Sequence, residues 1–398
     1  MNLRLRALST ISVALGAYLG VALRVVLSQF AKLPWRQVLN ESTALSPDEE
    51  LLLPNLGTGF FLPNIVGSFL FGTLAVASVP HHFWPVVKTG ITTGLCGSCT
   101  TFATWQLVVA LHLLRGHLFT AILQSGITVA TSYVAFLIGR QLSHRVHVTD
   151  WERIHAQTKR RISRRQRATD NNNVKEVAEA ALTNGEAVVA QTADNNHQET
   201  DGAANNNASL SMMRHRDSYV QSLPPVVEPK EYAPPPLFLL GVSFAWLLAA
   251  VCLLLAAILL PTMSFWQKLV VATFFGPVGA VGRYWLSIRN PRHPQFPAYT
   301  FIANILASTV NIVIFVIGPH LSASAMTWYA VWIQTGISTG GMGSLSTVST
   351  WISELYTLSH KEEHLRHAYA YGLASVALAQ AICLSIGGLY MITSGSTL

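Results

Sequence analysis

The chain has 398 residues, of which 51% are hydrophobic and only 11% charged, with a formal net charge of +7. Soluble domains carry about 25% charged residues, so this composition points to an integral membrane protein. It also argues against reading the basic excess as a nucleic-acid signature, because basic residues beside membrane spans report topology.

Runs of about 20 apolar residues can cross a bilayer. Nine such spans are predicted, at 8–31, 58–79, 86–114, 118–140, 237–260, 266–288, 299–318, 326–356 and 368–393. The first is too long for the core of a secretory signal, and no processing site follows it. Spans six to nine echo spans one to four, and the fifth has no counterpart. The expected organisation is a first four-helix repeat (1–142), a linker (143–235), a single helix (236–262) and a second four-helix repeat (263–398). Asparagine runs and a low apolar content predict disorder in the linker, apart from a short helix near Val174–Leu182. Pro234-Pro235-Pro236 makes a stiff lead-in to the fifth span.

Basic residues near the span ends set orientation. Arg4, Arg6, Arg145, Arg153, the Lys159–Arg167 cluster, Arg289, Arg292, Lys361 and Arg366 all fall on one side if the N-terminus is cytoplasmic. The other side holds Lys32, Arg36, Arg115 and Lys268, diluted by Glu41, Asp48, Glu49 and Glu50. The linker is then cytoplasmic and the C-terminus extracellular. With an odd fifth span, the second repeat enters the membrane from the side opposite to the first. Two antiparallel repeats of this kind commonly place their sites at the repeat interface.

In the third span, Gly94-Leu95-Cys96-Gly97-Ser98-Cys99-Thr100-Thr101-Phe102-Ala103-Thr104-Trp105 sets glycines and hydroxyls where a lipid-facing helix wants leucine. It returns 246 positions later as Gly340-Gly341-Met342-Gly343-Ser344-Leu345-Ser346-Thr347-Val348-Ser349-Thr350-Trp351. A small-residue helix contact, invited by Gly90-x-x-x-Gly94 and Gly336-x-x-x-Gly340, is the plainer alternative. It leaves the threonines and tryptophans unexplained. A helix break at membrane depth requires protein or water to satisfy the freed backbone groups. Cys96-x-x-Cys99 superficially suggests metal or redox chemistry, but no second pair or nearby histidine completes a site, so the cysteines read as small packing residues.

Each repeat's first span carries one arginine, Arg24 and Arg283, and each second span one asparagine, Asn64 and Asn304. Charge inside a membrane is costly and suggests function by default; snorkelling to the nearer interface is the alternative. An amide can donate two hydrogen bonds to an anion without trapping it by charge, and the alternative is interhelical bonding.

The arginine span, the Asn-x-x-Gly/Ala-Ser span and the duplicated glycine–hydroxyl–tryptophan span together resemble the Fluc/CrcB family of fluoride channels. The two-repeat layout with an inverting helix is similar to the fungal fluoride exporters (FEX). The resemblance covers the chain except the linker and the 32–56 loop. It implies a passive fluoride-selective channel with two antiparallel pores, and a sodium ion held by backbone carbonyls at Gly97, Thr100, Gly343 and Ser346. It implies a fluoride pathway along Asn64, Thr101, Phe102, Thr104 and Trp105, and along Asn304, Thr347, Thr350 and Trp351. Glu354, Tyr371 and Ser375 complete that pathway in the second repeat, and Arg24 and Arg283 line vestibules. The first repeat has Val108 where the family glutamate stands. Its fourth-helix register is open, with Ser125 or Thr128 as candidates. The second repeat has Val348 where the family has a phenylalanine. The family takes each pore's aromatics from opposite repeats, which pairs Phe102 with Trp351 and Val348 with Trp105. A ring edge can face an anion and a valine cannot, so the Phe102 pore is expected to conduct and the Val348 pore to be weakened.

No nucleotide-binding loop is visible, and an inside-negative potential would drive an anion outward by about 2.3 kcal/mol per 100 mV. The expectation is a non-enzymatic plasma-membrane fluoride exporter, monomeric because both repeats share one chain, with no nucleic-acid or nucleotide partner. A proton-coupled fluoride antiporter and a non-transporting membrane scaffold are the rival readings. Asn40-Glu41-Ser42 is a glycosylation sequon in a predicted extracellular loop. His81-His82 and His360/His364/His367 read as membrane-surface polar residues rather than metal ligands.

Overall fold

The computed structural model describes residues 3–30, 59–76, 84–145, 236–262, 264–360 and 365–395. Every regular element among them is helical. The described helices belong to one compact unit, Met1–His147 with Ala233–Leu398. The expected linker, its short helix, the Asn40 sequon and the 32–56 loop lie outside the described residues.

In chain order the helices are α1 (Leu3–Phe30), α2 (Phe61–Val76), α3 (Trp84–Thr89), α4 (Phe102–Leu114), α5 (Leu118–Arg145), α6 (Pro236–Leu259), α7 (Phe265–Ser287), α8 (Ala298–Ile317), α9 (Ala323–Trp328), α10 (Ser349–Ser359) and α11 (Leu365–Ser394). Wider π-helical runs join α3 towards α4 (Gly90–Cys96) and α9 towards α10 (Tyr329–Met342). Six segments are long and apolar enough to cross a membrane, and Phe61–Val76 and Ser243–Leu259 are shorter apolar helices. The expected nine spans are thus met by six of full length. The second and fifth are covered by the shorter pair, and the eighth is divided at Ser346–Val348. Helix α5 runs to Arg145, past the boundary expected at 142.

Local chemistry explains several ends. The hydroxyl of Ser264 accepts from Gln267 N at 3.1 Å to start α7, a side-chain N-cap. Gly116 takes φ +83° between α4 and α5, a left-handed position that favours glycine.

Glycine also decides how closely α1 and α7 pack on the π runs. A Cβ on Gly20 would run into the main chain of Leu95, and one on Gly279 into Gly341. Small residues let backbones meet this closely inside membranes. The core joins the two halves through Phe60, Phe102, Trp105, Val348, Trp351 and Tyr371. Helix α6 instead exposes Phe244, Leu247, Leu248 and Val251, the face expected of a segment that meets lipid.

Candidate functional site

Both halves break their helix at the duplicated motif. Thr100 is extended (φ −88°, ψ 152°), Thr101 likewise (φ −142°, ψ 121°), and Ser346 repeats the geometry (φ −81°, ψ 158°). These dihedrals take the Thr100 and Ser346 carbonyls out of the helical ladder.

The asparagines hold the breaks. Asn64 Oδ1 accepts from Thr101 N at 2.8 Å, and Asn64 Nδ2 donates to Thr101 O at 3.3 Å. Asn304 does the same to Thr347, at 2.8 and 3.3 Å. The amides expected to offer both N–H bonds to an ion therefore each give one to the break's own carbonyl.

The two breaks also cap one another. Thr100 Oγ1 accepts from Ser349 N at 3.2 Å, at the start of α10. Ser346 Oγ accepts from Ala103 N at 3.2 Å, at the start of α4. Each side chain satisfies orphan N–H groups of a helix in the opposite half. Thr101 and Ser346 hydroxyls lie 3.3 Å apart, and those of Thr100 and Thr347 3.2 Å apart. Thr104 and Thr350 sit one turn on, bonded to Thr101 and Thr347 through their hydroxyls at 3.1 and 3.4 Å.

The arginines cross between halves as well. Arg24 is 3% exposed and donates Nη2 to Thr339 O, while its guanidinium lies where a Cβ on Gly343 would fall. Arg283 is 2% exposed, donates Nη1 to Gly97 O at 3.0 Å and Nη2 to Thr93 O, and covers Gly97 in the same way. Neither guanidinium snorkels to a surface. Both donate to carbonyls of the other half's broken helix, while Arg24 Nε and Nη1 and Arg283 Nε are buried without a partner. Gly97 and Gly343 are glycines because the guanidinium takes the space of a side chain. Arg24 also lines a cavity of about 250 Å³ with Ser28, Gln29, Thr101, Thr104, Lys268 and Thr339.

Phe102, Trp105 and Trp351 form one cluster. Their ring centroids are 5.3 Å (Phe102–Trp105), 5.7 Å (Phe102–Trp351) and 6.2 Å (Trp105–Trp351) apart. Phe102 meets both tryptophans, where one cross-half pair per pore was expected. Val348 lies in the same buried cluster.

In the second half, Glu354 accepts from Thr300 Oγ1 at 2.7 Å, Tyr371 OH at 2.7 Å and Asn290 Nδ2 at 3.0 Å. Ser375 Oγ bonds back to Tyr371 O at 2.7 Å. In the first half, Gln124, Thr128 and Ser132 make a buried column on α5. Of the two candidates there, Thr128 is buried and Ser125 half-buried. Sequence reading missed Gln124 and Ser132, although their four-residue spacing around Thr128 repeats that of Tyr371 and Ser375. It also missed Asn290 and Thr300, whose role follows only from tertiary contact with Glu354.

A small hard cation needs oxygen ligands. Thr100 and Ser346 fit that need, with carbonyls outside the ladder, whereas the helical Gly97 already has its oxygen bonded to the Arg283 guanidinium. Cys96 and Cys99 are buried free thiols, and Cys99 packs with its sulfur 3.6 Å from Pro63 O.

The family described as "CrcB-like protein, Camphor Resistance (CrcB)" matches residues 11–140 and 270–388. Among relatives, Fluoride export protein 1 of Neurospora crassa is 35% identical over 125 residues, 31% of this chain and 22% of that protein. Fluoride-specific ion channel FluC 1 of Yersinia pseudotuberculosis is 37% identical over 89 residues, 21% of this chain and 70% of that protein. Fluoride export protein 1 of Candida albicans is 29% identical over 134 residues, 31% of this chain and 32% of that protein. The chain thus spans about a fifth to a third of the length of the two fungal relatives. No solved structure matches it.

Proposed function

This chain belongs to the CrcB-like family, matched in two regions, and from that premise we propose that it is a passive fluoride-selective channel. The reading is supported by the names of its relatives, fluoride export protein and fluoride-specific ion channel. One observation within the chain carries it: two helix breaks, each clamped by an asparagine and capped by a hydroxyl from the other half.

Fluoride sheds water only where other donors replace it, and they must also release it. Asn64 and Asn304 each retain a second Nδ2 hydrogen, and the Thr101, Thr104, Thr347 and Thr350 hydroxyls, the aromatic edges and the Glu354–Tyr371–Ser375 track line the proposed route. Arg24 gathers anions in the cavity that reaches Thr101 and Thr104. Lys268 adds a second cation there, whereas its counterpart in the first half is Ser9. That difference, with Val348 in place of an aromatic ring, favours one dominant pore, the one that contains Phe102.

The proposed architecture has nine spans, as two antiparallel four-helix repeats joined by α6. The N-terminus is cytoplasmic, the C-terminus extracellular, and the membrane is the plasma membrane. Carbonyls of Gly97, Thr100, Gly343 and Ser346 would hold a sodium ion, which would neutralise oxygen dipoles freed by the breaks. Both repeats lie in one chain, so a monomer suffices.

Fluoride efflux from proteoliposomes, driven by a potassium potential with the proton gradient collapsed, tests the proposal. A channel releases fluoride and holds back chloride. A proton-coupled antiporter stops when the gradient is removed, and a scaffold releases nothing.

A further inference from the structure

Gln106 follows Trp105 on α4 and is fully buried. Gln380, on α11 of the second half, donates Nε2 to Gln106 O at 2.9 Å and to Gln106 Oε1 at 2.6 Å. The two ends of a glutamine amide look alike, and their assignment rests on the network. Here the network decides. A main-chain carbonyl only accepts, so Gln380 must present its nitrogen to Gln106 O. The same nitrogen then requires Gln106 to present its oxygen. Gln106 Nε2 makes no hydrogen bond to Gln380 and is buried without an acceptor, and Gln380 Oε1 is likewise buried without a donor.

Buried polar groups are nearly always paired, and an orphan donor needs an explanation. The nitrogen belongs to the residue after Trp105 and lies one helical turn beyond Phe102. The helix that locks its orientation also carries Tyr371 and Ser375, about two and a half and about one and a half turns before Gln380. An acceptor-only ion would complete both of its N–H bonds.

We propose that the Gln106 amide, held by Gln380, is an anion site on the fluoride route of the Phe102 pore. This rests on the channel reading. Gln106 supplies the donors, and Gln380 is a positioning residue that holds the amide by its oxygen. The corresponding residue in the second half is Ile352, so the matching position there has no amide, which adds to the difference between the two pores.

The test compares wild type, Gln106→Leu, Gln106→Glu and Gln380→Leu in the full chain. Each is assayed for fluoride efflux across a range of internal fluoride concentrations, and for melting in detergent. Gln106→Leu removes an unpaired donor, and Gln380 still has Gln106 O, so melting should hold within error while efflux falls at least tenfold. Gln106→Glu keeps the acceptor for Gln380 but sets an oxygen where the ion would bind, and efflux should fall further. Gln380→Leu should raise the fluoride concentration for half-maximal efflux, because the donors lose their fixed direction. Wild-type efflux in both Gln106 variants would overturn the proposal. So would a loss of efflux matched by a fall in melting, which would assign Gln106 to packing or to a structural water. If the wild-type chain released no fluoride at all, it is the channel reading that would fall.

Discussion

Replacing Asn64 by alanine strips both partners from the Thr101 main chain, the N–H at 2.8 Å and the carbonyl at 3.3 Å. A buried polar group left without a partner costs about 1–3 kcal/mol, so the pair sets an upper range of about 2–6 kcal/mol, less whatever the break recovers by relaxing. Asn304 holds Thr347 with the same two distances, so Asn304→Ala should cost the same within about 1 kcal/mol, by the same reasoning. Asn64→Asp keeps the acceptor for Thr101 N but turns an oxygen towards Thr101 O, and should not rescue the loss. Melting of the purified protein in detergent reads all three. If Asn64→Ala melted like wild type, or if Asn304→Ala were harmless while Asn64→Ala collapsed the fold, the matched-clamp reasoning would be refuted.

Three further outcomes follow from the crossed contacts. Gly97→Ala and Gly343→Ala set a methyl against the opposite half's guanidinium and should each cost about 1–3 kcal/mol as overpacking. Each should be relieved by the matching crossed change, Arg283→Lys with Gly97→Ala and Arg24→Lys with Gly343→Ala, and by neither arginine of the same half. Glu354→Gln and Tyr371→Phe share one hydrogen bond, so a double-mutant cycle on efflux or melting should return a coupling of about 0.5–3 kcal/mol; additivity would separate them. Phe102→Ile should remove most fluoride efflux and Val348→Ala should leave it; the reverse would move conduction to the other pore.

Much of this arrangement was legible because it occurs twice. The breaks, the arginines and the asparagines each recur at matching places, and duplication in one chain gives what a single motif cannot. The all-helical class followed from apolar runs and low charge. What the sequence withheld was direction. Nothing in the run around Arg24 says that its side chain crosses to Thr339, and the choice between snorkelling and a vestibule omitted the carbonyls of a broken helix as acceptors. The Phe102/Val348 difference predicts separate ring pairs for two pores, whereas the rings form one cluster. The spacing of Gln124, Thr128 and Ser132 was readable, but it carried no weight until burial put all three on one face. Asn290 could not be found at all, because its partner Glu354 is 64 residues away.

The account depends on two halves turned over relative to each other, so that each break is completed by the other. Single added cysteines at Arg4, Arg115 and Arg292, probed in sealed vesicles with a membrane-impermeant thiol reagent, test that most directly. The account predicts that positions 4 and 292 react from one side and position 115 from the other. Reaction of positions 4 and 292 from opposite sides would contradict it, and the proposed ion route would have no structure to run through.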